Sequence, residues 1–571
     1  MAEITVDVST ARVLQWLRKP RCFAGSLALD LAELRKEIAK HEQASGFTAD
    51  DVKVAGGDGY PGDAAHFVVL GIACFERRLF MQALGAFEEA LRRDVTSAAA
   101  FIETGILANF LGLPELGVRF FRRSLELRRS PAAHNGLGSA LLDQGFARKA
   151  VSHFRRAVEL RPDDLRLRTG YLFALNNLLI DVEQISAEHR HYGAIAERQP
   201  LREQPRRTPG DRLRVGYLSA DFRGHSVGSF FLPLIASHTS RIQTTCYSLG
   251  AIVDETTHQI ARAANRFRPV RELSDDELAA QIAADQIDVL VDLNGHTADN
   301  RLPMLARRVA PVQMTYLGYP NTTGLAQMDF RISDDVADPP GMTDHLHTEQ
   351  VLRVPGGFLA WRRPAYDVEP AASTPVRANG YITFCSFNNL AKITDEVLAT
   401  WASVLGSVPN SRLLIKARGL SSKAARERIA DAFEADGVCA DRIEMHKQTV
   451  TTREHLELYR RADVALDTFP YNGTTTTCEA LWMGVPVIAG LGRSHVSRVS
   501  ASILEHMGEW QRAFDESPEK YMEAAVGLVS SVDFLERKRL HLRQRFEASP
   551  VMDGARLARE LEQLYQARAS R

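Results

Sequence analysis

Between residues 62 and 198 the apolar and small positions recur in paired helical segments. Phe67, Gly71 and Cys74 are followed by Ala83, Phe87 and Ala90; Phe101, Gly105 and Ala108 by Gly117, Phe121 and Ser124; His134, Gly138 and Leu141 by Ala150, Phe154 and Ala157. The steps from Phe87 to Phe121 and from Phe121 to Phe154 are 34 and 33 residues, the period of tetratricopeptide repeats. Small residues let two helices approach and the phenylalanine fills the gap between them. Pro162 closes the third repeat, and a fourth, less regular unit is expected over 164–197. Such a stack presents a concave groove that takes an extended peptide or, alternatively, serves assembly and packing. Ahead of the repeats, 27–41 has helical periodicity and 46–62 is rich in glycine and aspartate, so 1–61 reads as a helix followed by a loop.

Residues 199–212, with their prolines and arginines, read as a linker. The pattern then changes to short apolar runs alternating with helical periodicity. Strands are expected at 213–219, 243–249, 287–293, 313–317 and 330–333, with helices at 275–284 and 301–306. After a loop at 364–380 the alternation resumes, with strands at 381–384, 412–416, 442–446, 462–469 and 485–489. Helices at 394–408, 421–436 and 453–461, and one that includes 479–483, separate them. This alternation predicts parallel sheets flanked by helices. The expected architecture is an all-α tetratricopeptide superhelix followed by an α/β GT-B pair of Rossmann-like lobes, 213–375 and 376–571. Ligands of such sheets collect beyond the carboxyl ends of strands, which nominates the loops 221–229, 294–300 and 318–324.

Composition narrows the picture only a little. A formal net charge of -1 provides no field for nucleic acid or an anionic membrane. No apolar run of about 18 residues is present, so no membrane span is expected. The first residues lack a signal-peptide core, and the six cysteines show no CxxC or zinc-like spacing, so the economical reading is a cytoplasmic protein with free thiols.

The densest chemistry lies in DTFPYNGTTTTCEALWMGVPVIAG, from Asp467 to Gly490. It reads as strand, hydroxyl-rich turn, helix and strand. The first amides of a helix lack backbone partners and its dipole favours negative charge, so Thr474, Thr475, Thr476 and Thr477 form a candidate cradle for a diphosphate, and Glu479 a candidate acceptor for ribose hydroxyls. Thr476 and Glu479 also satisfy the pattern of a capping box, which needs no ligand. Cys478 reads as packing.

Taken with the repeats, the motifs LRVGYLSADFRGHSVGSFF, VDLNGHT, YLGYPNTTG, FCSFNNLAKI, ADVALDTFPYNGTTTTCEALWMGVPVI and SRVSAS resemble the O-linked N-acetylglucosamine transferases, glycosyltransferase family 41, over approximately 62–571. The chain looks like a bacterial homologue of that family. The resemblance implies UDP-N-acetylglucosamine as donor, a protein serine or threonine hydroxyl as acceptor reached through the repeat groove, inversion at the anomeric carbon, and no metal or other cofactor. Alternatives are another UDP-sugar, a non-protein acceptor, or a peptide-binding scaffold without turnover. Residue by residue, His225 matches the histidine proposed as general base, with substrate positioning or a structural hydrogen bond as competing roles. Lys392 matches the essential lysine and is assigned to the β-phosphate; Thr474, Thr475 and Thr476 join it there. Asn389, Val450, Thr452, His455 and Glu479 are implied around uridine, His455 by stacking on the base. Leu317, Gly318, Pro320 and Tyr471 surround the sugar. His296 is a second candidate cleft imidazole, and Arg498 supports either the phosphate end or a structural ion pair. Departures from the animal sequences, Ala391 for tyrosine, Tyr471 for cysteine and Thr474 for histidine, lie around the sugar and diphosphate and bear on donor selectivity. Asp334 and Asp335 read as a strand-end turn rather than a metal motif.

Overall fold

The computed structural model describes residues 23, 25–45, 63–202, 212–509, 513–515 and 517–569. The loop expected at 46–62 and most of the linker at 199–212 fall outside them. The chain divides into two compact units, 1–167 with 418–427, and 168–417 with 428–571.

In the first unit the paired helices of each repeat are Ala64–Glu76 and Phe80–Arg93, Ala98–Phe110 and Pro114–Leu127, and Pro131–Asp143 and Ala147–Leu160. The repeated glycines and phenylalanines have a direct steric reason. A Cβ on Gly71 would lie 2.2 Å from the Phe87 ring, one on Gly105 2.8 Å from Phe121, and one on Gly138 3.0 Å from Phe154. The helix Gly25–Ser45 docks on this array: Leu31, Leu34 and Ile38 share a core with Phe67 and Phe87. Asp30 pairs with Arg119 and Arg123, both at 2.8 Å, and Arg35 with Glu88 at 2.6 Å.

In the second unit, β1 (Leu213–Ser219), β2 (Ile242–Ser248), β3 (Arg266–Pro269), β4 (Val289–Asp292), β5 (Val312–Thr315), β6 (Phe330–Ser333) and β7 (Gln350–Arg353) form one sheet. Their order is β3-β2-β1-β4-β5-β6-β7, with parallel pairing throughout. The second sheet contains β8 (Thr383–Ser386), β9 (Arg412–Lys416), β10 (Ile443–His446), β11 (Val464–Leu466), β12 (Val487–Leu491) and β13 (Ala513–Asp515). Its order is β10-β9-β8-β11-β12-β13, also parallel. The winding reverses between β1 and β4 in the first sheet and between β8 and β11 in the second. Loops diverge at such a reversal and leave a crevice for ligands. The segments that follow these four strands hold His225, Asn294 to His296, Asn388 to Lys392, and Asp467 to Thr476.

The helices Leu165–Leu175 and Val182–Ala196, which the sequence reading groups with the repeats up to 198, fall from Arg168 onward in the compact unit of the two lobes. Among the described residues, no helix is long and apolar enough to cross a membrane.

Candidate functional site

After β8, Asn389 caps a short turn, Leu390–Lys392, by accepting from the Ala391 amide at 3.0 Å. The turn sends Lys392 toward the loop after β11. Its Nζ donates to the carbonyl of Asn472 at 2.7 Å and lies 3.8 Å from the centre of the Tyr471 ring. Burial pushes this ammonium down to about 8, with Asp467 opposing the shift. Asp467 Oδ1 in turn accepts from the Gly473 amide at 2.7 Å and from Asn388 Nδ2 at 3.1 Å. Gly473 permits this closure: a Cβ there would lie 2.7 Å from the hydroxyls of Thr476 and Thr477.

The helix Thr475–Trp482 starts from Thr474 with no side chain capping it. This overturns the capping-box alternative. Thr476 lies inside the helix and donates to Asn388 Oδ1 at 3.0 Å, while the Glu479 carboxylate accepts from His455. The Thr475 hydroxyl is buried without a hydrogen-bond partner among the described residues. One buried hydroxyl, an uncapped helix start and the Lys392 ammonium thus converge on one loop pair. An anion would satisfy all three.

On the other side of Asn388, His455 Nε2 meets Glu479 Oε2 at 2.9 Å and its Nδ1 meets Lys416 Nζ at 2.8 Å. Because an ammonium only donates, Nδ1 accepts and the ring proton sits on Nε2, facing the carboxylate. Phe387 and Tyr459 pack against the imidazole with ring centres 5.6 and 5.4 Å away. Burial lowers the Lys416 ammonium, and Glu479 opposes the shift. Val450 is exposed, its amide held by Glu454 at 3.0 Å, and Thr452 begins the exposed first turn of the helix Thr452–Tyr459. Lys416, Asn388 and Asp467 were not singled out from sequence.

In the N-terminal lobe, His225 caps the helix Ser226–Ile235, its Nδ1 accepting from the Val227 amide at 3.3 Å. Asp221 Oδ2 lies 3.6 Å from the same nitrogen. Burial lowers the His225 pKa, and the Asp221 charge partly restores it. Among the described residues, no hydrogen bond or ion pair joins His225 to the C-terminal lobe. Leu317 has a left-handed backbone, φ 69°, and a Cβ on Gly318 would lie 1.7 Å from the Leu293 carbonyl. The loop Leu317 to Pro320 is therefore pressed against the loop after β4. Within this loop Tyr319 is fully buried, and burial raises its phenol well above the ordinary value, with Tyr471 adding to the shift.

His296 is fully buried beneath the helix Val182–Ala196, bonded through Nε2 to the Thr323 carbonyl at 2.8 Å and packed edge-on against Tyr192, while its Nδ1 has no hydrogen-bond partner among the described residues. Arg498 donates to the carbonyls of Val336 and Gly492, both at 2.8 Å. Asp334, Asp335 and His506 bring ligand atoms within 4.8 Å of one another. Asp334 caps the amides of Val336 and Ala337 and accepts from Ser502, so the fold accounts for that carboxylate.

The model of Glycosyl transferase family 41 matches residues 185–360 and 375–561. A probable UDP-N-acetylglucosamine-peptide N-acetylglucosaminyltransferase SPINDLY from Solanum lycopersicum is 34% identical over 421 residues, 72% of this chain and 44% of its own length. The Arabidopsis thaliana protein with the same description is 35% identical over 420 residues, 71% and 45% of the two chains. The chain spans about half the length of the curated relatives it matches. Among solved structures, a lysine-to-methionine mutant of the Thermobaculum terrenum O-GlcNAc transferase aligns with a TM-score of 0.83 and 31% identity, covering 89% of this chain and 98% of that one.

Proposed function

Because the chain belongs to glycosyl transferase family 41, we propose that it moves N-acetylglucosamine from UDP-N-acetylglucosamine to serine or threonine hydroxyls of proteins, with inversion and without a metal. The observation that carries this reading is the convergence of Lys392, the uncapped helix start and the buried Thr475 hydroxyl between β8 and β11. The descriptions of the SPINDLY relatives name this donor and a peptide acceptor, and the similar solved structure is an O-GlcNAc transferase.

In the reaction the acceptor oxygen bonds to the anomeric carbon as the bond from that carbon to the β-phosphate oxygen breaks. The electron pair leaves with UDP, and the hydroxyl gives up its proton. Charge therefore grows on the diphosphate, where fixed cations and amide dipoles lower the barrier. Lys392 and the Thr474 to Thr476 segment meet that demand. Glu479 takes the ribose hydroxyls and His455 stacks on the uracil. Leu317, Gly318, Pro320 and Tyr471 surround the sugar.

His225 removes the proton only in one of its tautomers. With Nδ1 accepting from Val227, the proton sits on Nε2 and that edge is a donor. With Nδ1–H turned to Asp221, Nε2 is free to act as base. The repeats bind the polypeptide acceptor, and the reaction takes place in the cytoplasm, where the buried free thiols at 74, 246, 385 and 478 remain reduced.

Calorimetric titration with UDP and a panel of UDP-sugars, with and without magnesium, tests the donor. Intact-mass analysis of a serine-containing peptide after incubation tests transfer. Metal-independent UDP binding and a mass gain of one N-acetylhexosamine are expected. Binding of UDP with preference for another sugar would change the donor, and no UDP binding would leave only a scaffold.

A further inference from the structure

The helix pair Leu165–Leu175 and Val182–Ala196 looks like one more repeat in sequence, yet two buried polar side chains of this segment, Asn176 and His189, are directed at the loop 317–324. Asn176 donates through Nδ2 to the Tyr319 hydroxyl at 2.8 Å and to the Leu172 carbonyl at 3.0 Å. Its Oδ1 accepts from Asn321 Nδ2 at 2.9 Å. His189 reaches the same Tyr319 hydroxyl through Nε2 at 2.8 Å, while its Nδ1 meets the Ile185 carbonyl at 2.7 Å. All of these side chains are buried.

The direction of every bond in this chain follows from chemistry. A carbonyl only accepts, so His189 Nδ1 carries the proton. Burial pushes the imidazole down to about 4, so at neutral pH it is uncharged and Nε2 accepts. The Tyr319 hydroxyl must then donate to His189 and accept from Asn176. Each group has one arrangement open to it, and a fully satisfied buried network of this kind fixes the position of its members.

The backbones close in as well. A Cβ on Gly193 would lie 1.8 Å from the Gly324 carbonyl oxygen, and one on Gly324 1.9 Å from the His189 oxygen. On its far side the loop is held by Arg331, which donates to the carbonyls of Asn321 at 2.7 Å and Tyr319 at 3.2 Å. Tyr319 sits between Gly318 and Pro320, the backbone assigned to the donor sugar.

We infer that Asn176 and His189 are positioning residues for the donor-sugar loop, acting through the Tyr319 hydroxyl, and that the helix pair 165–196 is a working part of the transferase site. The functional half of this inference rests on the reading proposed above. The residues assigned to uridine and diphosphate lie on other segments, after β8, β10 and β11, so a shift of 317–324 disturbs the sugar while leaving the nucleotide pocket intact.

The test uses the full chain with Asn176→Ala, Tyr319→Phe and the double variant. Hydrogen exchange is expected to accelerate in 317–324 and to stay unchanged in 474–480. UDP affinity should remain within about twofold, while transfer should fall by about tenfold or more and donor hydrolysis should gain relative to transfer, the mark of a misplaced sugar. The double variant should lose less than the sum of the two single ones, because they share the Asn176–Tyr319 bond. Unchanged exchange in 317–324 overturns the inference whether or not the protein proves to be a transferase. Parallel loss of UDP binding and transfer also overturns it, since that pattern marks general loosening. If wild type binds no UDP, the proposed function fails by itself, and the exchange result still decides whether Asn176 holds the loop.

Discussion

At the scale of the residue, the site works through two groups whose charge is set by burial. The Lys392 ammonium is pushed down to about 8, and a diphosphate prefers its cationic form. UDP affinity is therefore expected to be level below that pH and to weaken as pH rises through it; Lys392→Arg, cationic throughout, should move the limb to higher pH. Calorimetry across about pH 6.5 to 9.5 checks both. His225 supplies the opposite limb. Burial holds its pKa below the ordinary histidine value and Asp221 pulls it back up, so Asp221→Asn should shift the acid limb of kcat/KM to lower pH. A limb that does not move would belong to a group other than His225. Neither effect was legible from sequence, which supplied His225 and Lys392 but not their surroundings. Asn388 meets Asp467 across 79 positions, Lys416 meets His455 across 39, and Asn176 meets Tyr319 across 143. Short motifs carry no trace of partners at such separations.

At the scale of the element, the buried central strands were readable because they are continuous apolar runs bounded by turns. The strands overlooked, β3, β7 and β13, are all sheet edges of three or four residues. An edge strand needs apolar side chains on fewer positions, and RFRP or QVLR has no pattern to distinguish it from loop. The start of the helix Thr475–Trp482 was ambiguous for a different reason. Four successive threonines offer four N-cap candidates, and only the folded chain shows that Thr474 takes the place without capping through its side chain. This leaves the Thr475 hydroxyl for a ligand. Thr475→Val replaces it with a methyl of the same shape and breaks no bond within the described protein, so thermal stability should hold. UDP binding is expected to weaken by about 1.5–3 kcal/mol, the value of a hydrogen bond to a charged group. A variant that binds UDP as wild type does would remove this hydroxyl from the diphosphate site.

At the scale of the whole molecule, the alternation of strand and helix announced two lobes but not how their unit is held together. The last helix, Gly554–Ala569, returns to the N-terminal lobe, where Glu562 accepts from Thr239 and meets His238 and Tyr565 meets Tyr217. A second tie is wholly buried. Asp338 of the N-terminal lobe lies between His347 at 2.8 Å and His495 of the C-terminal lobe at 2.6 Å, with Arg331 at 3.8 Å. Burial opposes this charge, but the two imidazoles outweigh it and hold the carboxyl well below its ordinary value. Asp338→Asn removes the carboxylate that the buried Arg331 guanidinium and the two imidazoles face and should cost about 3–5 kcal/mol at neutral pH, read from urea unfolding, whereas the exposed Asp335→Asn should change stability by less than about 0.5 kcal/mol. The sign of the pH dependence separates charge from shape. A carboxyl with a depressed folded pKa stabilises fully above its unfolded pKa and loses that contribution as pH falls toward the folded value. Wild type should therefore approach the Asp338→Asn variant as the solution is acidified. A gap between the two that stays constant in acid would mean that Asp338 joins the lobes through geometry and not through charge.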